Sequence, residues 1–241
     1  MTKAKLTIVI SRLDKHFGKP FDHTKKPPEI LDVLIATKLS QNTTDKSSFK
    51  AYTNLKKKFG TWDKVANADY DDIRDCIKVC GLSNTKARNI KLMLQQMKKN
   101  YGTLDLTFMK EYDNEKVYEE FLQYGGIGVK TISCVLIFAM GRDAFPVDTH
   151  VHRVMNRLGL VNTNSPVNTF EDIKDRIPEG NRYELHSNLI KFGRNFCRSN
   201  NPLCSKCFLY SLCGYDMKKE YRKLKPPVKV TENYFIILEH L

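Results

Sequence analysis

The sequence lacks any apolar run approaching the roughly 20 residues needed to cross a bilayer, which argues against a membrane-spanning helix. Its opening residues, MTKAKLTIVISRLDKHF, lack the uninterrupted apolar core and small-residue cleavage site of a secretory signal. Without an export signal, the seven cysteines argue against a disulfide framework. Strand patterns are scarce, and no Gly/Ser-rich stretch marks a linker between domains. Acidic residues are also short, 27 against 40 Lys and Arg, leaving a formal net charge of +13. A surplus of that size favours polyanionic partners, because association with a phosphate backbone releases condensed counterions. The expectation is a soluble monomer with no membrane attachment, cytoplasmic in a prokaryote or nuclear in a eukaryote.

The 241 residues suffice for one large domain or two small ones. Helical periodicity dominates. Leu6, Val9, Ile10, Leu13 and Phe17 share one face of an N-terminal amphipathic helix. Pro27 and Pro28 suit the first turn of a helix continuing through the apolar stretch Ile30 to Leu39. Asn42-Thr43-Thr44-Asp45 reads as a cap for a helix ending at Gly60. Further helices are expected over Tyr70–Val79, Thr85–Lys99 behind a Ser83 cap, Glu115–Gln123 behind Asn114, and Val129–Met140. Asp148–Leu158 with Asp148 as cap, Phe170–Arg176 and Tyr183–Phe196 complete the set. The fold class is therefore all-α with short connections, in two helical lobes.

Cys76, Cys80 and Cys134 lie among apolar helical residues and read as buried thiols. The other four, Cys197, Cys204, Cys207 and Cys213, are spaced C-x6-C-x2-C-x5-C just after a helix. Thiolates so grouped can converge on one soft metal centre. Zinc and a 4Fe–4S cluster both accept four cysteines, so ligand type alone leaves the two open.

Tyr124-Gly125-Gly126-Ile127-Gly128-Val129-Lys130-Thr131 joins two helices through a glycine-rich turn. Gly126 and Gly128 permit backbone angles closed to other residues and let a ligand approach the main chain, so Gly126, Ile127 and Gly128 are candidate contacts to a DNA phosphate. Lys130 falls in the first turn of the apolar helix that follows, where the helix dipole and partial desolvation disfavour a protonated amine. That is how a lysine becomes a nucleophile, though on local context alone a surface lysine or a phosphate contact is the alternative. Asp148 follows eighteen positions later in FPVDTH. The helix from Val129 to Met140 climbs about 18 Å at roughly 1.5 Å per residue. Residues Gly141–Val147 can span about 23 Å at roughly 3.3 Å per residue, enough to bring Asp148 back beside Lys130.

The hairpin GGIGVKT, the VDTH segment and the C-x6-C-x2-C-x5-C cluster, in that order, resemble endonuclease III and its class of helix-hairpin-helix, Gly/Pro-rich, Asp-containing (HhH-GPD) DNA glycosylases. The resemblance runs from about Pro27 to Cys213. It implies a helical domain over residues 27–147 containing the hairpin, and a cluster-bearing lobe from residues 1–26 with 148–213. Residues 214–241 are left as a basic tail without an assigned role; there Lys218, Lys219, Arg222, Lys223 and Lys225 lead to Pro226-Pro227, and Tyr234–Leu238 suits a strand or a docking helix. The resemblance further implies a 4Fe–4S cluster on Cys197, Cys204, Cys207 and Cys213, with Lys191, Arg194 and Arg198 presented to phosphates. Lys130 resembles the catalytic lysine of members that also cleave the strand, and Asp148 the essential aspartate. Gln41, in Leu39-Ser40-Gln41, resembles the residue that fills the gap left by an extruded base. Leu82, in Gly81-Leu82-Ser83-Asn84-Thr85-Lys86-Ala87, resembles the wedge into the opposite strand.

The family usually carries Leu-Pro-Gly where this chain has Tyr124-Gly125-Gly126. Loss of that proline loosens the hairpin entry but keeps its amides. FPVDTHVHRVMNRLGL and Tyr183–Cys197 also resemble the catalytic region of plant 5-methylcytosine-excising glycosylases. The function implied is base-excision repair of double-stranded DNA holding a damaged or mismatched base, by a glycosylase with abasic-site lyase activity. Oxidised pyrimidines are the default target. Uracil or thymine in a mismatch, 5-methylcytosine, a non-catalytic DNA-binding module and a zinc-dependent scaffold are the rival readings.

Overall fold

The computed structural model describes residues 3–19, 26–224 and 234–241. Lys225, Pro226 and Pro227, the end of the basic stretch, lie outside the described residues. The described chain forms twelve α-helices and no strand. Their order is α1 (Lys3–Phe17), α2 (Ile30–Ser40), α3 (Asp45–Phe59), α4 (Trp62–Asn67), α5 (Tyr70–Ile77) and α6 (Ser83–Tyr101). There follow α7 (Asn114–Leu122), α8 (Val129–Cys134), α9 (Thr149–Arg157), α10 (Pro166–Ile173), α11 (Arg182–Asn195) and α12 (Lys218–Lys223). No helix among the described residues is long and apolar enough to cross a membrane.

The chain divides into two compact units, residues 26–142 with 235–241, and residues 1–25 with 143–234. In the first, α2 is the centre, with every residue from Ile30 to Leu39 buried. It packs against α3, α6 and α8. That burial includes Asp32, which accepts from the Trp62 indole at 2.9 Å and pairs with Lys56 at 3.2 Å. The last seven residues close this unit as a 3₁₀ turn against α2 and α3. Ile236, Ile237 and Leu238 are buried, and the Ile237 amide donates to Asp45 Oδ2 at 3.0 Å. The C-terminal residues thus dock, as neither strand nor α-helix.

In the second unit α1 buries Leu6, Val9, Ile10 and Leu13 and packs on α11. Rings of His16, Phe17, Phe192, Phe196 and Phe208 interlock at the foot of α11, with His16 stacked on Phe208 at 4.3 Å.

Several boundaries move from those expected. Pro27 and Pro28 precede α2, whose cap is Glu29. Ser83 opens α6 as its first helical residue, because Leu82 occupies the cap position with no side-chain bond. Asp113 caps α7 by accepting from the Lys116 amide at 2.7 Å, one residue before the expected cap Asn114. α10 begins at Pro166 behind a Ser165 cap, four residues earlier than Phe170. The helix expected over Val129–Met140 is α-helical only to Cys134 and continues as a π turn over Val135–Ala139. There the Met140 amide reaches back five residues to the Val135 carbonyl.

Candidate functional site

The hairpin is pinned from below and open above. Tyr124 and Ile127 are buried, while Gly125, Gly126 and Gly128 are exposed. The Tyr124 hydroxyl accepts from Asn100 at 3.1 Å. Gly126 has φ +75°, in the left-handed region, and a Cβ there would come within 3.0 Å of the Lys38 amine. Gly128 caps α8, its carbonyl accepting from the Thr131 and Ile132 amides at 2.9 and 3.1 Å. Lys130 stands half-buried in that first turn.

Directly beneath lies a lysine that sequence reasoning passed over. Lys38 is 3% exposed, and its Nζ donates to the Gly125 carbonyl at 2.9 Å. Burial pushes its pKa from 10.5 down to about 8. The signal was a charge inside the apolar run ILDVLIATKLS, which reads as a surface position when burial is unknown. The unfolded chain keeps this proton to near 10.5 and the folded chain only to about 8. Below pH 8 the buried ammonium therefore costs stability, about 3 kcal/mol. Between the two values the unfolded state binds more protons, so stability rises with pH across that window. Lys38→Met is expected to flatten that rise in denaturant titrations compared at pH 7 and 10. A rise as steep as in the wild type would show that another group is responsible.

Gln41 follows α2 as an exposed residue, its amide bonded to the Lys38 carbonyl at 3.4 Å, and Asn42 after it has φ +54°. Thr44, within the expected capping segment, caps α3 by accepting from the Ser47 amide at 3.2 Å. Leu82 is 60% exposed with φ +49° and ψ +31°. A left-handed, exposed leucine is both strained and unsheltered, unlike a core residue. Lys86, buried, donates to the Leu39 carbonyl at 2.8 Å and the Cys80 carbonyl at 2.9 Å.

Asp148, in the second unit, caps α9 as its sequence context predicts. Phe145, Pro146 and Val147 are buried and lead the chain in, with the Pro146 carbonyl 2.8 Å from His186 Nδ1. Asp148 Oδ1 accepts from the Val151 amide at 2.8 Å, and the residue is half-buried.

Cys197, Cys204, Cys207 and Cys213 line one recess with Arg157 and Tyr215. Among the described residues, no three Cys, His, Asp or Glu side chains converge tightly enough to hold a single metal ion. Polar hydrogens nevertheless point at sulfur. Arg157 Nη1 lies 3.6 Å from Cys197 Sγ, and the Tyr215 amide 3.4 Å from Cys213 Sγ. The same guanidinium binds the Arg198 and Ser199 carbonyls at 2.6 and 3.1 Å and stacks over Tyr215 at 4.2 Å. Arg153 donates to the Cys197 and Gly193 carbonyls, each at 3.0 Å. These two arginines, four residues apart on α9, were missed; the spacing in HRVMNRL was their only signal. Burial pushes the Cys207 thiol up to about 12 and raises Cys197 and Cys204. Arg194 and Arg198 are half-buried. Lys191 differs from the expectation of an exposed residue: on α11 it is only 8% exposed.

An all-helical chain with a glycine-rich hairpin leading into a lysine-bearing helix, and a four-cysteine loop behind an arginine-braced helix, has the organisation of a DNA-repair glycosylase. Residues 35–179 match the model of the HhH-GPD superfamily base excision DNA repair proteins, and the chain belongs to that family. Endonuclease III of Thermotoga maritima is 35% identical over 207 residues, covering 86% of this chain and 93% of that protein. Endonuclease III of Sulfolobus acidocaldarius is 36% identical over 193 residues, covering 79% and 84%. Among solved structures, a non-covalent endonuclease III–DNA complex superposes with a TM-score of 0.78 at 28% identity, covering 92% of this chain and all of that one. The chain is a base-excision-repair DNA glycosylase that acts on DNA.

Proposed function

We propose that this glycosylase also cleaves the strand at the abasic site, with Lys130 as nucleophile and Asp148 as its carboxylate partner. The observation that carries this is Lys130 in the first turn of α8, directly after an exposed glycine hairpin. A stacked base shields its sugar carbon, so the nucleotide leaves the duplex first, at a cost of a few kcal/mol. Gln41 fills the gap and Leu82 wedges the opposite strand, while the main chain of Gly126, Ile127 and Gly128 meets a phosphate. The neutral Lys130 amine attacks C1′ as the glycosidic bond breaks, and the departing base takes its proton from water. Asp148 stabilises the positive sugar and takes the proton released by the amine. Ring opening gives a Schiff base; loss of a C2′ proton then expels the 3′ phosphate, and water releases Lys130.

Cys197, Cys204, Cys207 and Cys213 would hold a 4Fe–4S cluster, one thiolate to each iron. The four sulfurs line one recess, with N–H groups aimed at two of them, which is compatible with such a cluster. When bound, the cluster supplies cross-linking of the loop, which presents Arg198 to phosphates beside Arg194 in the last turn of α11.

Oxidised pyrimidines are the proposed target, and the enzyme works as a monomer in the compartment that holds the DNA. Duplexes each carrying one lesion, scored for excision, nicking and borohydride-trapped adduct, test this. Excision and trapping with an oxidised pyrimidine are expected. Excision with no adduct on any duplex would leave a glycosylase without lyase activity and sink the role of Lys130.

A further inference from the structure

Gln41 and Leu82 stand on turns far apart in sequence that share two features. Each turn holds a non-glycine residue in the left-handed region, Asn42 (φ +54°) directly after Gln41 and Leu82 itself (φ +49°). Such residues cost about 1–2 kcal/mol each and persist only where the surroundings hold them. Each turn is also tied to the same buried cation. Lys86 Nζ donates to the Leu39 carbonyl, two residues before Gln41, at 2.8 Å, and to the Cys80 carbonyl, two residues before Leu82, at 2.9 Å. Its third donor faces Cys80 Sγ at 3.6 Å, and its backbone amide binds the Leu82 carbonyl at 3.0 Å. An ammonium has three donors, and here all three are used within 6% exposure. The Leu39 carbonyl lies at the C-terminal end of α2, where the helix dipole also favours a cation.

We propose that Lys86 is a positioning residue for base extrusion, one buried ammonium that fixes the spacing between the Gln41 turn and the Leu82 loop so that both enter the duplex together. The proposal rests on reading Gln41 and Leu82 as the residues that fill and wedge the duplex. Lys86 touches no substrate; it acts through the carbonyls that carry the two turns.

A mutant cycle tests it. Excision of an oxidised pyrimidine is measured under single turnover, with 2-aminopurine beside the lesion to report extrusion. Lys86→Met is expected to slow both signals at least tenfold in the wild-type background. In a Gln41→Ala/Leu82→Ala background, where there is nothing left to position, it is expected to slow them less than twofold. General loss of folding would slow both backgrounds alike, so equal losses overturn the proposal. Lys86→Arg keeps the charge and the donors and is expected within threefold of wild type. An Arg variant as slow as the Met variant, yet with the wild-type thermal midpoint, also overturns it. If Lys86→Met does not fold, Lys86→Gln takes its place in the cycle with the same outcomes. If the wild type excises nothing, the reading of the catalytic site fails separately. Affinity for a duplex containing a tetrahydrofuran abasic analogue, taken through the same cycle, then decides Lys86.

Discussion

Lys130→Gln is expected to give no borohydride-trapped adduct with abasic DNA and to lower strand cleavage at least about a thousandfold, as loss of a covalent nucleophile does. The substitution replaces the amine with a neutral amide on a shorter side chain. Lys130 is half-buried, and the bonds that close its turn run from the Thr131 and Ile132 amides to Gly128, so the start of α8 survives. The thermal midpoint is expected to move by no more than about 2 °C, the range for an unremarkable surface change. Asp148→Asn is the companion. Asparagine caps helices about as well as aspartate, so α9 keeps its start while the charge is lost. Excision is expected to fall about 10²–10⁴-fold with folding intact, the usual span for a lost acid–base group. A structural cap alone would leave excision unchanged. A full-yield adduct from the Lys130 variant would point to another amine. Lys38 is the first to try, since burial already brings its pKa to about 8 and it lies against the same hairpin.

Residues that declare themselves locally made most of this architecture readable in advance. Thr44 and Gly60 bracket α3, Asp148 caps α9, and the apolar face of α1 is the one that is buried. Each depends on a few neighbours along the chain, which is what a sequence displays. The glycine hairpin and the cysteine spacing are legible for the same reason. Illegible features depend on what lies across the fold. α4 has only six residues, too few for periodicity to show. The π turn after Cys134 has the same apolar composition as an α-helix, since the extra residue per turn is accommodated by packing. Nothing local reports that Lys38, Lys86 and Lys191 are buried. For the first two, the partners are carbonyls on other elements. The C-terminal turn is buried by a bond between residues 45 and 237, which no window of sequence spans. Local chemistry of the chain thus displays caps and motifs more readily than contacts made across the fold.

Removing iron from the cysteine loop is expected to release that loop while α9 and α11 keep their helical cores. Desolvation pushes the half-buried Cys207 thiol up to about 12, so without metal it is protonated. Cluster assembly must displace that proton, and affinity for the metal should rise with pH as the thiols ionise. Other restraints on the loop include the Phe208 ring, stacked on His16 and packed against Phe192 and Phe196, and Arg12, which donates to the Phe208 carbonyl at 3.3 Å. Arg157 holds the Arg198 and Ser199 carbonyls, Arg153 holds Cys197, and α12 covers the 3₁₀ turn at Cys204–Lys206. Each such hydrogen bond contributes only about 1–3 kcal/mol, less than the several kcal/mol a structural metal centre supplies. Oxidative removal with ferricyanide, or Cys207→Ala, is therefore expected to bleach visible absorbance and lower the thermal midpoint by about 10 °C. Trypsin should then cut faster at Arg198, whose half-buried side chain and Arg157-bound carbonyl hold it in place in the loaded protein. DNA affinity should fall and its salt dependence flatten by about one phosphate contact, since Arg198 loses its frame while Arg194 stays on α11. An iron-free chain with unchanged trypsin resistance and unchanged salt slope would show that the cysteines do not organise this surface. Bleaching that abolished trapping by Lys130 while leaving the salt slope intact would instead move the cluster's influence from phosphate contact to the chemistry itself.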